Sequence, residues 1–308
     1  MKKVLSIVDS YEYINQTPYN RQFQITLQNL YDTTIVDLRS FVLESHVYDL
    51  KKFDIIVSSL KLRSLVKNLN VIQSRLGSEE IHVYDQDPWE SFNSSGPWNN
   101  SYYRISEALN IKKFINTSAF WSNFCKERGL PADFITMGIM PQSCSYGQDW
   151  DKRQYDSIFM GHLHGWRETF FNRVTSLGVN VSILSRSSHE EFLRTVENAK
   201  IFIHNTSNPP FTIDGKQWEI FYGYPWVKGI EIAGKGCYTL TNKRGSTEEY
   251  HIDKIPLIKM FSDIEEIPEI VAGILNQTKE DALSDIRTSV DYIKKYDYWK
   301  TSVSNVLG

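Results

Sequence analysis

The sequence has little of what marks disulfide-linked, zinc-binding or membrane-spanning proteins. Its 308 residues include three cysteines, Cys125, Cys144 and Cys237, which show neither paired spacing nor nearby histidines. Neither a disulfide framework nor a zinc site is therefore indicated, and a reducing cytoplasm fits. The first apolar run ends at Asp9 and is too short for a signal-peptide core or a membrane span. We interpret this run as a first strand.

An excess of charge of one sign is also lacking. Lys and Arg total 34 against 37 for Asp and Glu, which gives a formal net charge of -3. No global positive field favours nucleic acid as a partner, although a local basic groove stays compatible with these totals. Because no strongly basic amphipathic helix is evident, at most peripheral membrane contact is expected. The expected location is the cytoplasm, with the inner membrane face as an alternative.

Apolar and charged residues occur in ordinary globular proportions, 41% and 23%. Short apolar runs alternate with amphipathic stretches, which is typical of parallel sheets flanked by helices. The predicted strands are 4–8, 34–38, 54–58, 81–84, 113–117, 134–137, 157–160, 180–184, 200–204 and 237–241. The predicted helices are 21–31, 60–69, 101–110, 119–128, 166–177, 189–199, 225–233, 264–275 and 279–299.

A polar stretch with Gly and Pro, residues 138–156, interrupts this alternation, which then begins again. Such a stretch indicates a linker, and a chain of this length favours two domains. We therefore predict an α/β fold of two Rossmann-like domains with parallel sheets. The first covers 1–139 and is completed by the chain end, about 297–308; the second covers 140–296. Residues 205–224 are predicted as a long ligand-binding loop.

Residues that follow strands supply the site predictions, because ligands of parallel sheets bind beyond the carboxyl ends of the strands. The segment Gly161-His-Leu-His164-Gly-Trp-Arg167 follows a predicted strand and opens a helix. Gly161 allows close backbone approach, the helix start offers N–H groups, and Arg167 can bind phosphate through two N–H groups. With His164, they predict a diphosphate-binding segment. The alternative is a glycine-rich turn with a surface ion pair.

Two further segments of the second half carry polar groups at suitable places. Lys228 and Glu231 lie three residues apart on a predicted helix, so the ammonium could meet phosphate while the carboxylate accepts ribose hydroxyls. An ordinary helix pair in solvent is the alternative. His204 and Asn205 end another predicted strand, where they could bind a base or a sugar hydroxyl, or start a turn.

A pair of aspartates follows the predicted strand 81–84 in the first half. Pro88 biases Asp87 toward an extended conformation, which would project its carboxylate into a cleft as a general base. Asp85 is the second candidate base, and Trp89 and Glu90 are predicted on the acceptor side. An Asp-x-Asp pair could also hold a divalent metal or cap the next segment. We predict no metal.

The segments from Met160 to Arg167 and from Glu231 to Leu240 resemble the donor domain of GT-B glycosyltransferases, in the group that includes spore-maturation-like proteins. The layout is also similar to that of phage DNA β-glucosyltransferase. The resemblance covers residues 157–250. It implies that Glu231 binds the nucleotide ribose, that Lys228 contacts the diphosphate, and that Asp87, or else Asp85, is the catalytic base.

Many retaining members of the family carry a second Glu two helical turns before the ribose Glu. That position is Gly223 here, with Glu219 offset, so the stereochemical outcome stays open.

The resemblance implies a hexosyltransferase with two domains facing a central cleft. It would move a sugar from a UDP- or GDP-type nucleotide sugar to a saccharide or glycolipid hydroxyl, without metal or other cofactor. Bacterial polysaccharide assembly is the expected setting. The first alternative is a glucosyltransferase acting on hydroxymethylated DNA bases, which the net charge disfavours. The second is a non-enzymatic, two-lobed protein that binds sugars or nucleotides.

Overall fold

The chain forms two compact α/β units. A computed structural model describes residues 1–44, 48–163, 165–185, 188–205, 211–218, 223 and 225–308. The first unit contains residues 1–137, 211–218 and 299–308. The second contains the described residues of 138–209 and 219–298.

The first unit is built on a six-stranded parallel sheet. Its strands are β1 (Lys3–Val8), β2 (Asp32–Asp37), β3 (Ile55–Ser58), β4 (Ile81–Tyr84), β5 (Ile111–Asn116) and β6 (Ala132–Phe134). They lie in the order β2-β1-β3-β4-β5-β6. The chain therefore reverses direction across the sheet between β1 and β3, which is where open parallel sheets bind ligands.

Eight helices of this unit connect the strands. They are α1 (Tyr11–Gln16), α2 (Pro18–Leu30), α3 (Leu38–Leu43), α4 (Leu62–Lys67), α5 (Leu69–Leu76), α6 (Trp89–Phe92), α7 (Ser101–Ala108) and α8 (Ala119–Lys126). Several of these helices are capped at their N-termini by polar side chains, which accept hydrogen bonds from backbone N–H groups that have no partner within the helix. Ser10 caps α1, Asp37 caps α3 and Ser118 caps α8. The strands β1 and β3 are almost wholly buried, as expected for a sheet covered on both faces.

The second unit is built on a five-stranded parallel sheet. Its strands are β7 (Tyr155–Met160), β8 (Ser182–Leu184), β9 (Ala199–His204), β12 (Tyr238–Asn242) and β13 (Ile258–Phe261), in the order β13-β12-β9-β7-β8. Its helices are α9 (Trp166–Ser176), α10 (His189–Glu197), α11 (Val227–Ala233), α12 (Ile267–Leu275) and α13 (Lys279–Tyr296). Here the chain reverses between β7 and β9.

A hairpin and a terminal helix rejoin the first unit late in the chain. The hairpin consists of β10 (Phe211–Ile213) and β11 (Lys216–Trp218), and the backbone N–H of Ser94 donates to the carbonyl of Thr212 at 2.8 Å. The terminal helix is α14 (Tyr298–Leu307). Its buried Trp299 donates an indole hydrogen bond to Gln22 at 2.9 Å.

The predicted linker is an ordered part of the second unit, tied to its sheet by a buried arginine. The Arg153 guanidinium donates to the carbonyls of Ala199 and Gly236 at 2.8 and 2.7 Å. A side chain at Gly147, whose φ is +73°, would collide with this guanidinium. Arg153 also donates to carbonyls of residues 146 and 148, so it connects the region 138–156 to two other segments of the second unit. This region is therefore packed against the unit and is not a separate linker.

The α/β class with parallel sheets is confirmed, and several element boundaries differ from the prediction. The predicted strand 134–137 lies two residues earlier, as β6, and the short strand β13 was missed. The described part of the predicted loop 205–224 includes the β10–β11 hairpin. The predicted helix 279–299 stops at Tyr296, because Asp297 adopts a left-handed conformation with φ of 46°, and α14 then begins.

Candidate functional site

In the second unit, two predicted segments leave the strands that flank the reversal point. Gly161 follows β7, and His204 ends β9. A Cβ atom at Gly161 would lie 3.1 Å from the Phe159 ring, so a side chain at this position would crowd that ring. Both residues lie at the carboxyl edge of the sheet, and ligands of open parallel sheets bind beyond this edge.

Arg167 lies in the first turn of α9, directly beyond this edge. Its guanidinium stacks against the rings of Trp166 and Phe159, with centroid distances of 4.9 and 5.7 Å, and it donates to the carbonyl of His162 at 3.4 Å. Gly165, with φ of +49°, allows the turn that starts the helix. The two rings hold the cation in a half-buried position. The predicted neighbour His164 lies outside the described residues.

Lys228 and Glu231 form a buried ion pair, not a pair in solvent. The Lys228 ammonium lies 2.8 Å from Glu231 Oε2 and 4.2 Å from the centroid of the Phe192 ring. Glu231 is fully buried, and His189 Nε2 approaches its Oε1 at 3.3 Å. The surface-pair alternative is therefore wrong. A ribose would reach this carboxylate only if Lys228 or His189 moved.

Three cations converge on the end of β9. The pKa of the buried His204 is held well below its usual value by burial, and further by the positive charges of Arg244, Lys228 and Arg167. The imidazole is consequently neutral at physiological pH. The same edge of the sheet therefore carries three positive charges beside an uncharged histidine, and Asn205, which is also buried, follows directly.

Arg244 is a member of this group that the sequence analysis missed. It follows β12, donates to Thr241 Oγ1 at 2.7 Å and to the carbonyl of Pro225 at 3.1 Å, and stacks on the Trp226 ring at 4.3 Å. Pro225 and Trp226 lead directly into α11, so Arg244 braces the helix that carries Lys228. Reading a few residues beyond the predicted strand 237–241 would have found it.

The first unit contains a polar cavity of about 270 Å³ at the carboxyl ends of its central strands. Segments after β1, β3 and β4 form its walls. The lining residues are Tyr13, Asn20, Ser59, Leu60, Lys61, Leu62, Arg63, Tyr84, Asp85, Gln86, Asp87, Glu90 and Trp98. The predicted Asp85, Asp87 and Glu90 are among them, and Trp89 contacts Asp87 from the side. Sequence reasoning missed Tyr13, Lys61, Arg63 and Trp98.

Asp85 lies at the base of this cavity in a buried hydrogen-bond network. Its Oδ1 accepts the backbone N–H of Asp87 at 3.0 Å, and its Oδ2 lies 2.9 Å from the Tyr102 hydroxyl. That hydroxyl also lies 3.1 Å from Asn116 Oδ1. Burial, together with the charge of Asp87, raises the pKa of Asp85 to about 7. Asp85 therefore fixes the backbone of Asp87 and is partly protonated near neutral pH.

Asp87 is the exposed carboxylate of the pair. The indole of Trp89 donates to its Oδ1 at 3.3 Å, and this bond orients the group. Crowding by the cavity walls restricts hydration and raises the pKa of Asp87, although the side chain reaches the surface. Glu90 is partly buried, and this burial, together with the Asp87 charge, raises its pKa as well. An accessible carboxylate of raised pKa suits proton abstraction near neutral pH.

Metal sites, membrane spans and reactive thiols are the other features relevant to function. Within the described ranges, no group of three or more His, Cys, Asp or Glu side chains is arranged to hold a metal ion. Among the same residues, no helix is both long and apolar enough to cross a bilayer. The three cysteines are free thiols, and Cys125 and Cys237 are buried.

Solved structures of similar fold include a protein bound to UDP and glucose and a DNA-modifying glucosyltransferase. The Anabaena protein HepE, in complex with UDP and glucose, matches with a TM-score of 0.55 and 11% identity over 100% of this chain and 99% of its own. The DNA-modifying enzyme β-glucosyltransferase matches with a TM-score of 0.58 and 10% identity over 99% of both chains. Sucrose-phosphate synthase from Thermosynechococcus elongatus matches with a TM-score of 0.64 and 10% identity over 99% and 97%.

No protein-family model and no curated protein matches the sequence of the chain. At about a tenth identity, the structural likeness shows the fold. The chain has the GT-B fold, with two Rossmann-like units of parallel strands.

Proposed function

We propose that this protein is a glycosyltransferase that moves a sugar from a nucleoside-diphosphate sugar to a hydroxyl acceptor. The observation that carries the proposal is the placement of three cations near the carboxyl end of β9: Arg167 follows β7, Lys228 lies on α11 and Arg244 follows β12, and all three affect His204 electrostatically. Three cations at the carboxyl edge of a parallel sheet fit the two phosphates of such a donor. The ligands of two similar structures, UDP with glucose in one and uridine diphosphoglucose in the other, support this donor class.

The donor would be bound by the second unit. Arg167 and Lys228 would neutralise the charge that grows on the leaving diphosphate, which is the role a metal ion plays at other phosphate sites. Glu231, after rearrangement of its ion pair, would accept the ribose hydroxyls, with His204 and Asn205 beside the nucleoside. Gly161 would let the phosphates approach the backbone. Activity that persists in excess EDTA would support this metal-independent arrangement.

Replacing Arg167 with methionine should weaken UDP binding by about 10- to 100-fold, because a charge-assisted hydrogen bond to phosphate is lost. Arg167 is half-buried, and the methionine side chain can pack against the same rings of Trp166 and Phe159, so the variant should remain folded. Calorimetric titration with UDP and GDP measures the effect. Arg173→Met is the matched control, since this residue lies on the same helix in an exposed ion pair with Glu265. Equal UDP affinity in the Arg167 variant and the wild type would contradict the donor site.

The acceptor would occupy the cavity of the first unit. Asp87 would take the proton of the attacking hydroxyl, while Asp85 holds the Asp87 backbone in place. Trp89 and Glu90 would contact or orient the acceptor. The setting proposed is glycan assembly on a saccharide or glycolipid in the cytoplasm.

A second candidate function is glucosylation of DNA. Two of the similar structures support it: the DNA-modifying β-glucosyltransferase, and an α-glucosyltransferase in complex with UDP-glucose and DNA at 12% identity and a TM-score of 0.61. The net charge of -3 argues against it.

A glycan enzyme should bind duplex DNA weakly at every salt concentration. Fluorescence anisotropy with hydroxymethylcytosine duplexes from about 50 to about 200 mM salt measures this. A DNA enzyme would show strong retention that falls steeply with salt, since bound phosphates release counterions. Salt-sensitive tight binding would therefore favour the second candidate.

A binding protein without activity is the remaining alternative. It would retain UDP-sugar intact in the absence of acceptor. Slow hydrolysis of the donor by wild-type protein, absent from Asp87→Asn, would exclude it.

A further inference from the structure

Two cations, Lys61 and Arg63, line the polar cavity of the first unit, which is the proposed acceptor site. Lys61 and Arg63 follow β3 and face the same space as Asp87 and Glu90. Among the described residues, neither Lys61 nor Arg63 forms an ion pair. Carboxylates and cations that line the same cavity ordinarily form ion pairs. Because Lys61 and Arg63 do not pair with Asp87 or Glu90 here, both cations are available to an anionic ligand.

The local structure holds Lys61 in place. Its backbone N–H donates to Asp9 Oδ2 at 2.8 Å, which joins the loop after β3 to the loop after β1. Its ammonium lies 3.6 Å from the centroid of the Tyr13 ring. This cation–π contact fixes the ammonium at the cavity wall while leaving its N–H donors for another partner.

Arg63 belongs to the same electrostatic site. Arg63 lines the cavity together with Tyr13, Asp87 and Glu90. Burial and the Asp87 charge raise the pKa of both Glu90 and Tyr13, and the positive charge of Arg63 opposes that rise in both. The cavity thus has a cationic wall and an acidic wall within the reach of a single small ligand.

Size and shape restrict the ligand further. A volume of about 270 Å³ is slightly below the usual range for drug-sized ligands, which favours a single sugar residue in the cavity. The half-exposed ring of Trp98 offers a flat apolar surface for one face of that sugar.

We propose that the acceptor sugar carries an anionic group, a phosphate or a carboxylate, which Lys61 and Arg63 bind while Asp87 contacts the hydroxyl to be glycosylated. This inference rests on the proposed function for the role of Asp87. It assigns the substrate class by charge: a phosphorylated or uronic sugar is preferred to a neutral one.

Direct titration without donor tests the charge preference. The probes are glucose 1-phosphate, glucose 6-phosphate, glucuronate and glucose, added to the full chain at low salt. At least one anionic sugar should bind about tenfold or more tightly than glucose. The double variant Lys61→Met/Arg63→Met should lose that difference and keep the affinity for glucose within about twofold. A preference for the phosphates or for glucuronate distinguishes the two sources of the anion.

Lys67→Met is the matched control, because this exposed lysine lies at the end of the same helix, away from the cavity. It should bind every probe as the wild type does. Equal affinities for all probes, or a preference that survives the double variant, would overturn the inference. Binding of duplex DNA that depends on Lys61 and Arg63, without binding of anionic sugars, would also overturn it. UDP binding to the same samples reports separately on the proposed function, so the two can fail independently.

Discussion

Replacing Asp87 with asparagine should lower kcat for sugar transfer by about 100- to 10,000-fold, the usual contribution of a general base. The amide keeps the size of the side chain and an oxygen that can accept the Trp89 indole hydrogen bond, but it cannot take the acceptor proton. UDP affinity should stay within about twofold of the wild type, since the proposed donor residues lie in the second unit. Release of UDP in the presence of acceptor measures the rate.

The pH profile provides an independent readout of the same assignment. The raised pKa of Asp87 places the acidic limb of the wild-type kcat/KM profile above the pKa of an ordinary aspartate, with activity falling as pH drops and the base becomes protonated. Asp32→Asn, an exposed change at the start of β2, should leave rate and profile unchanged. Full activity in Asp87→Asn together with its loss in Asp85→Asn would move the base to Asp85.

Replacing Asp85 with asparagine should stabilise the folded protein at pH 8 by up to about 4 kcal/mol. The carboxyl has a pKa of 3.8 in an ordinary environment and about 7 in the fold. Between these values the folded state binds more protons than the unfolded state, so wild-type stability falls as pH rises and the loss is complete above about pH 7. Asparagine carries no charge that would have to be buried.

The hydrogen bonds of the network suit this substitution. The side-chain oxygen of the introduced asparagine can accept the Asp87 N–H, and its amide can donate to the Tyr102 oxygen while the Tyr102 hydroxyl donates to Asn116. Urea unfolding at several pH values between about 5 and about 8 measures the difference between variant and wild type, which should widen with pH. Asp32→Asn should run parallel to the wild type. Parallel curves for Asp85→Asn would contradict the raised pKa.

The fold was largely predictable because its strands carry a local signal. Buried parallel strands such as β1 and β3 are continuous apolar runs, and β4 was predicted to the residue. The strand β13 was missed, since Ile258–Phe261 is short, buries only its two end residues and includes a lysine. The hairpin of residues 211–218 was missed because its short strands depend on pairing with each other and on contact with the first unit.

Most site predictions followed one rule, that ligands bind just after strands. Of the residues chosen by it, Asp85, Asp87 and Glu90 line one cavity, and Arg167 and His204 lie at one sheet edge, whereas Lys228 was chosen by its spacing from Glu231 on a helix. The rule missed Lys61 and Arg63, which also follow a strand, because two isolated cations form no recognisable motif. It missed Arg244, whose role depends on contacts with Pro225 and Trp226 earlier in the chain.

The sequence by itself determined the α/β class, the repeated alternation of strands and helices, and which loops begin at the carboxyl edges of the sheets. Only the tertiary structure decided which of those polar groups are buried. Glu231 is fully buried in an ion pair with the partly exposed Lys228, and the buried Asp85 has a raised pKa, while Asp87, two residues away, is exposed. Burial depends on side chains contributed by distant segments, such as Tyr102, Asn116 and His189, and no local pattern records those contacts.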